Sequence, residues 1–150
     1  MMGRRFEELT VGDKFTTLSR TVSETDIVNF VCLAGFNEEL FTSLEYIEKR
    51  SLYKKRIAPG TLTLALAEGL SIQTGILHDT GLAFLGLTDM RVTAPVFKDD
   101  TLRVEIEVID KRETRKPDRG IVTFKHRVSN QREEVVLEYT IKRMIRRKEA

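Results

Sequence analysis

The stretch Pro59-Gly-Thr-Leu-Thr-Leu-Ala-Leu-Ala-Glu-Gly-Leu-Ser-Ile-Gln-Thr-Gly75 decides how this chain folds. Proline suits the first turn of a helix and glycine is common just past a helix end, so the two residues bracket a predicted helix. Between them, apolar side chains fall on almost every side, and Glu68 is the one charged residue. A helix that is apolar nearly all round must be covered on most sides, which a curved sheet does and one neighbouring helix cannot. The stretch therefore predicts a buried central helix wrapped by a sheet.

The second half of the chain supplies that sheet. Period-two alternation or β-branched residues predict four strands, at about residues 83–93, 101–111, 120–130 and 135–145. In the second of these, Leu102, Val104, Ile106 and Val108 alternate with charged residues, so one surface of the sheet is expected to be buried and the other wet. An antiparallel sheet that curls around one buried helix is the α+β hotdog arrangement.

The first half of the chain is predicted to be mainly helical. A first strand is expected over residues 14–22. The capping-box-like Ser23-Glu-Thr-Asp26 then starts a helix that ends at Gly35, where a left-handed cap is favoured. A short helix follows from a cap at Thr42 to about Arg50. Cys32 is expected to be a small core residue on the first of these helices.

Length and composition describe a single domain of 150 residues, 41% of them hydrophobic and 32% charged. A chain of this length buries about 68–70% of its unfolded surface, so it needs no disulfide or structural metal. The net charge of +2 argues against a nucleic-acid binder, and no stretch resembles a signal peptide or a membrane span. We therefore expect a cytoplasmic protein without nucleic-acid or membrane partners. A basic cluster is expected to form a solvated strand edge and tail, with anion binding as the alternative: Lys142, Arg143, Arg146, Arg147 and Lys148.

Seven short motifs follow one another along the chain: Phe6-Glu-Glu-Leu-Thr-Val-Gly-Asp13, Arg20-Thr-Val-Ser-Glu-Thr-Asp-Ile27, Arg56-Ile-Ala-Pro-Gly60, Leu64-Ala-Leu-Ala-Glu-Gly-Leu70, Pro95-Val96, Asp100-Thr-Leu102 and Asn130-Gln131. In this order and spacing they resemble the MaoC-like acyl dehydratases, a family that includes (R)-specific enoyl-CoA hydratases. The resemblance implies a hotdog homodimer or larger oligomer. In that assembly, the thioester of an acyl-CoA or acyl carrier protein enters at the subunit interface. Two histidines and one cysteine that do not cluster argue against a metal site, and no cofactor is expected apart from the acyl thioester.

The chain departs from the family at the catalytic motif. The family pattern Gly-Asp-x-Asn-Pro-x-His, whose Asp and His hold the reacting water, aligns with Gly35-Phe-Asn-Glu-Glu-Leu-Phe41. Phe36 and Phe41 therefore replace the Asp and the His, and neither ring can exchange a proton. Because acid and base groups typically contribute about 10²–10⁴-fold each, the resemblance implies an atypical or degenerate site.

Gly60 matches the family glycine whose N–H polarises the thioester carbonyl, helped by the helix dipole. Three residues just before it are expected to line the substrate: Ile57, Ala58 and Pro59. Glu38 is the candidate replacement acid or base, because an apolar pocket between Phe36 and Phe41 would raise the pKa of its carboxyl. An exposed loop acid is the alternative for Glu38. The two phenylalanines are expected to wall the pocket.

The remaining candidates have structural alternatives. Glu68 lies on an exposed stripe of the central helix, or it reaches the pocket as the helix carboxylate of thioesterase-type hotdogs does. His126 is expected to be a packing residue and His78 a loop residue. Three basic residues precede the central helix: Lys54, Lys55 and Arg56. They are expected either to be solvated loop residues or to contact the phosphates of CoA.

Three functions stay open at this stage. The first is an atypical enoyl-CoA hydratase or acyl dehydratase that uses Gly60 and Glu38. The second is a non-catalytic acyl-CoA-binding subunit that completes the active site of a partner hotdog chain. The third is an acyl-CoA thioesterase that uses Glu68, since one fold can host several chemistries.

Overall fold

Antiparallel pairing joins six strands into one sheet in the computed structural model, which describes residues 3–148. The strands are β1 (Lys14–Thr16), β2 (Arg20–Thr21), β3 (Gly81–Val92), β4 (Thr101–Glu113), β5 (Arg119–Ser129) and β6 (Val135–Arg146). They lie in the order β1-β4-β5-β6-β3, and β2 pairs with the other end of β4. The sheet is open, so β3 forms one of its edges.

Within residues 3–148, four α-helices accompany the sheet, α1 (Glu24–Ala34), α2 (Glu39–Thr42), α3 (Leu44–Arg50) and α4 (Gly60–Gln73), and a short 3-10 helix spans Phe6–Glu8. The central helix α4 contributes Leu62, Ala67 and Leu70 to the core, where they join alternate residues of β4, β5 and β6. The predicted α+β arrangement of a sheet packed on one main helix is confirmed.

Local capping explains why α1 begins and ends where predicted. The Ser23 hydroxyl accepts the Asp26 N–H at 3.0 Å, and the Asp26 carboxylate accepts the Ser23 N–H at 2.8 Å. Gly35 ends the helix with a φ of 70°, a left-handed conformation that glycine adopts without steric cost. The position of Phe36, the next residue, is therefore set by a turn that favours glycine.

Two predicted elements have different bounds in the structure. The strand expected over residues 14–22 breaks after Thr16, because the Thr17 hydroxyl accepts the Val104 N–H at 2.9 Å and the chain then leaves the ladder. The helix expected from a cap at Thr42 is found one residue later, because the Ser43 hydroxyl accepts the Tyr46 N–H at 3.1 Å, and the short helix α2, which was not predicted, precedes it. Ser43, not Thr42, therefore caps α3.

Three expectations about burial are wrong. The protomer does not cover α4 nearly all round, because a stripe containing Thr61 and Ala65 is exposed and Ile72 is 54% exposed. Cys32 is exposed, since α1 turns Ile27 and Val31 to the core instead. Arg143 is buried, because the period of two places it on the inner face of β6.

Within residues 3–148, no helix has both the length and the apolar character that a membrane crossing would require.

Candidate functional site

The segment before α4 is fixed by pairing with residues 96–98. The Ala58 N–H donates to the Val96 carbonyl at 2.8 Å, and Ile57 forms an isolated bridge with Phe97. Ile57 and Ala58 are buried, while Pro59 stands at the helix N-cap. This pairing holds the helix start in one position relative to the sheet.

The N-terminus of α4 presents unpaired backbone donors. No side chain caps it, and the Pro59 carbonyl accepts the N–H groups of Leu62 and Thr63. Among the residues that the structure describes, no acceptor meets the N–H groups of Gly60 and Thr61. Free N–H groups and the helix dipole together favour a partially negative oxygen at this point.

Packing within the protomer does not require glycine at position 60. A Cβ built on Gly60 would lie 3.5 Å from the Val92 Cγ2 atom, which is ordinary van der Waals contact. The missing side chain therefore leaves room for a group from outside the protomer to approach the Gly60 backbone.

An aromatic cluster occupies the stretch aligned with the family's catalytic motif. The Phe36 ring packs edge-on against Phe30 with centroids 5.5 Å apart, and its centroid lies 6.0 Å from that of Phe41. All three rings are partly buried against the core. The positions expected for an acid and a base are thus apolar and packed in the protomer.

Glu38 is exposed at the N-cap of α2. Its carbonyl oxygen accepts the Phe41 N–H at 2.8 Å and the Thr42 N–H at 3.1 Å, which fixes its backbone. Its carboxylate has no hydrogen-bond or ion-pair partner within residues 3–148, so it is free to interact with a ligand. Glu39, the first residue of α2, is exposed as well.

Arg56 links the aromatic cluster to the segment before α4. Its Nη1 donates to the Phe41 carbonyl at 3.4 Å, while its Nε lies 3.2 Å from a Glu24 carboxylate oxygen. This side chain is therefore engaged in structure, whereas Lys54 and Lys55 stay exposed beside it. The two segments that carry the predicted site residues are brought together here.

A second polar group lies on the inner face of the sheet around Glu68, which is not on an exposed stripe of α4 but turns its half-buried carboxylate toward β6. The Tyr139 hydroxyl donates to Glu68 Oε1 at 2.6 Å, and His126 Nδ1 lies 2.7 Å from the Tyr139 oxygen. Arg143 donates to the other Glu68 oxygen. Since the tyrosine hydrogen goes to Glu68, His126 Nδ1 carries a hydrogen that it shares between the Tyr139 oxygen and Glu68 Oε1, which lies 3.3 Å from Nδ1. His126 is thus the packed residue that was expected, with its Nδ1 satisfied.

Glu68 is ionised in this cluster. Burial by itself raises the pKa of the carboxyl, but hydrogen bonds from His126 and Tyr139 and the charge of Arg143 outweigh it and lower the pKa to about 2. Burial and the neighbouring Glu68 charge raise the pKa of Tyr139 well above its ordinary value. Eight residues, about 12 Å of helix, separate Glu68 from Gly60, so the cluster is distinct from the helix N-terminus.

Residues 6–130 match the family model described as the MaoC like domain. Protein MaoC of Klebsiella aerogenes is 33% identical over 102 residues, which are 67% of this chain and 29% of that protein. The chain therefore spans less than a third of that relative's length.

Solved structures share the whole fold. A monoamine oxidase regulatory protein from Archaeoglobus fulgidus superimposes with a TM-score of 0.90 at 35% identity, covering 99% of this chain and 100% of that one. The R-hydratase PhaJ1 from Pseudomonas aeruginosa gives a TM-score of 0.77 at 29% identity, with coverages of 97% and 86%.

A protein from Mycobacterium tuberculosis with a double hotdog fold gives a TM-score of 0.82 at 19% identity, covering 97% of this chain and 45% of that one. At this identity the likeness speaks for the fold alone, and it confirms the expected hotdog arrangement. Together with the match over residues 6–130, the likeness in sequence and fold leads to one conclusion. This chain belongs to the MaoC-like dehydratase domain family.

Proposed function

We propose that this protein binds an acyl thioester, carried by CoA or acyl carrier protein, at the N-terminus of α4. The observation that carries the proposal is the pair of unpaired N–H groups at Gly60 and Thr61, at the uncapped start of a 14-residue helix. A thioester carbonyl oxygen is an acceptor of the kind that such donors stabilise. The R-hydratase neighbour supports this choice of ligand class.

The chemistry follows from what stands around those donors. Hydrogen bonds from Gly60 and Thr61 would stabilise negative charge on the carbonyl oxygen as an enolate develops, an effect worth about 10²–10³-fold for one donor. Phe36 and Phe41 would pack on the acyl chain and exclude water. Proton transfer is then left to Glu38, the free carboxylate of the same segment. The proposed enzyme is an atypical enoyl-CoA hydratase or acyl dehydratase.

Gly60→Ala tests the binding site directly, with crotonyl-CoA as the probe in calorimetric titration. The new methyl fits within the protomer, so the fold is kept, but it takes the space through which the carbonyl approaches. We expect binding at least tenfold weaker than in the parent protein. Gly69→Ala in the same helix is the matched control, because nothing lies within 4 Å of its Cβ. Unchanged crotonyl-CoA affinity in Gly60→Ala would overturn the proposal.

A non-catalytic subunit is the second candidate, favoured by the packing of Phe36 against both Phe30 and Phe41. It predicts saturable binding of crotonyl-CoA without loss of enoyl absorbance, until a partner hotdog chain that carries the family Asp and His is added. Turnover by the purified protein that Glu38→Gln abolishes would favour the enzyme instead. Thioester hydrolysis with Glu68 as base ranks third, because a carboxyl with a pKa of about 2, paired with Arg143, is a weak base.

The proposed assembly is a homodimer that pairs along β3. This twelve-residue strand is hydrogen-bonded to β6 on one side, and its other side is free within the described residues. Its exposed large apolar side chains are Leu82, Phe84, Leu85 and Val92. A long apolar edge strand attracts another strand, and a second copy can supply one through a two-fold axis. A cytoplasmic location stays a prediction from the sequence.

A further inference from the structure

An aromatic and basic patch lies on the surface beside the segment that leads into α4. It consists of Tyr53, Lys54 and Lys55, from the loop between α3 and α4, together with Phe97, and we call it the Tyr53 patch. The Tyr53 ring meets Phe97 edge-on with centroids 6.3 Å apart, and the Lys55 ammonium lies 5.4 Å from the centroid of the Phe97 ring. Tyr53 is 38% exposed, and both lysines are exposed. The patch therefore presents an aromatic ring flanked by two cations.

Hydrogen bonds hold the backbone of the Tyr53 patch in place. The Tyr53 N–H donates to the hydroxyl of buried Ser51 at 3.0 Å, and the Lys54 ammonium donates to the Lys49 carbonyl at 3.1 Å. The Phe97 N–H donates to a carboxylate oxygen at 2.8 Å. Because these contacts already order the loop, a ligand that binds here pays less to fix it.

The two lysines of the Tyr53 patch are available to an anion. Within residues 3–148, neither Lys54 nor Lys55 forms an ion pair with a carboxylate, and Glu24 pairs with two other basic side chains instead. The Asp100 side chain accepts the Phe97 N–H and is only 5% exposed, so its charge is turned inward. Lysine ammonium groups without a carboxylate partner are well suited to phosphate oxygens.

The Tyr53 patch lies close to the proposed thioester site without being part of it. Phe97 is bridged to Ile57, and three residues separate Ile57 from Gly60, which is about 10 Å of chain at most. In an acyl-CoA, a flexible pantetheine arm separates the thioester from the nucleotide. A ligand of this shape can place its carbonyl at Gly60 and its nucleotide on the patch.

We propose that the Tyr53 patch binds the nucleotide end of CoA, an adenosine with a 3′-phosphate and a 5′-diphosphate. The inference rests on the proposed function, and it names CoA as the carrier of the acyl group. The adenine stacks on the exposed Tyr53 ring, and the phosphates accept from Lys54 and Lys55. An acyl carrier protein has the same arm but offers no base to stack, so the exposed ring between two cations favours CoA.

Calorimetric titration of crotonyl-CoA and crotonyl-pantetheine tests the proposal, because the two share the thioester and only the first has a nucleotide. We expect crotonyl-CoA to bind at least about tenfold more tightly. Adenosine 3′,5′-bisphosphate, which has no thioester, should bind by itself and compete with crotonyl-CoA. Equal affinity for the two thioesters would overturn the proposal.

Lys55→Glu reverses one charge of the Tyr53 patch. We expect it to weaken crotonyl-CoA and adenosine 3′,5′-bisphosphate about tenfold and to leave crotonyl-pantetheine unchanged. Lys116→Glu is the matched control, because Lys116 is exposed in the β4–β5 turn and the thirteen residues of β4, about 40 Å, separate that turn from Phe97. Equal weakening by both variants would mean that only the net charge matters, which overturns the proposal.

Tyr53 provides a pair of variants that tests stacking without a change of charge. Tyr53→Phe keeps the ring, whereas Tyr53→Leu removes it, and the Tyr53 hydroxyl has no hydrogen-bond partner to lose within the described residues. We expect Tyr53→Leu to weaken adenosine 3′,5′-bisphosphate at least about fivefold and Tyr53→Phe to have little effect. Similar affinities for both variants would contradict the stacked adenine.

The thioester site and the Tyr53 patch can fail separately. Gly60→Ala should weaken crotonyl-pantetheine and leave adenosine 3′,5′-bisphosphate unaffected. Binding of the bisphosphate that Lys55→Glu weakens, with no binding of either thioester, would refute the thioester site and support the patch. Weakening of crotonyl-acyl carrier protein by Lys55→Glu, with crotonyl-CoA unchanged, would make an acidic protein the occupant and overturn the proposal.

Discussion

Glu68 is the only charged side chain of α4, and it contacts the sheet through Tyr139 and Arg143. Its pKa falls from an ordinary 4.5 to about 2 in the folded protein. A carboxyl with a depressed folded pKa stabilises the fold above its unfolded pKa, and that stabilisation is lost as the pH falls. We expect Glu68 ionisation to contribute about 3 kcal/mol at pH 7, decreasing between about pH 4.5 and pH 2.

Urea unfolding of the parent protein and of Glu68→Gln, from pH 7 down to pH 3, measures this contribution. The variant should be the less stable protein at pH 7, and the gap should narrow as the solution becomes acidic. Glu45→Gln is the control, because Glu45 is 75% exposed and pairs with Lys49 on the surface of α3. It should change stability by less than about 0.5 kcal/mol. A gap between parent and Glu68→Gln that stays constant with pH would contradict the assignment.

The sequence could not locate the partners of Glu68. Tyr139 and Arg143 lie 71 and 75 residues further along the chain, so no local spacing reports the contacts. The available signal was the period of two in β5 and β6, which places His126, Tyr139 and Arg143 on the inner face. Because Arg143 was assigned to the solvated basic tail, its place on the inner face of β6 was not predicted. Phe36 and Phe41, by contrast, were identified by direct comparison with the family motif.

At the level of elements, two glycines predict opposite outcomes for the same substitution. A Cβ on Gly35 or on Gly69 would find nothing within 4 Å, so neither change causes a clash. Gly35 has a φ of 70°, where a side chain costs about 1–2 kcal/mol, whereas Gly69 lies inside α4, where alanine is favoured by about 0.5–1 kcal/mol. We expect Gly35→Ala to lower the unfolding temperature and Gly69→Ala to raise it. Shifts of the same sign would contradict this.

Elements with local signals were predictable from the sequence. The caps at Ser23 and Gly35 set the ends of α1, and alternation placed β4 to β6 within a few residues of their observed bounds. The cap of α3 was predicted one residue too early because Thr42 and Ser43 are both good caps, and the neighbouring chain decides between them. The exposed stripe of α4 was missed because periodicity shows where apolar residues lie, not which of them one protomer covers.

At the scale of the whole molecule, the exposed stripe of α4 indicates that a second chain packs on this protomer. The far edge of the sheet ends in β1, which is only three residues long, whereas β3 offers twelve residues. Phe84 and Val92 are 59% and 58% exposed on β3; Phe84 lines one depression together with exposed Ile72 of α4, and Val92 lies next to Gly60 at the start of α4. Pairing there would bury both surfaces at once, as in a domain core that is completed by association.

Light scattering after size-exclusion chromatography tests this arrangement. We expect the protein to elute at twice the 17.2 kDa chain mass and Leu85→Lys to shift it to a monomer at micromolar concentration. A lysine on the free edge opposes strand pairing, and we expect its unpaired charge to lower the association constant of the dimer at least tenfold. Val11→Lys replaces an exposed apolar residue just before β1, at the opposite edge, and should leave the dimer intact. A parent protein that is monomeric at every concentration would rule out the homodimer and favour pairing with a different hotdog chain. An equal response to both lysines would place the contact elsewhere.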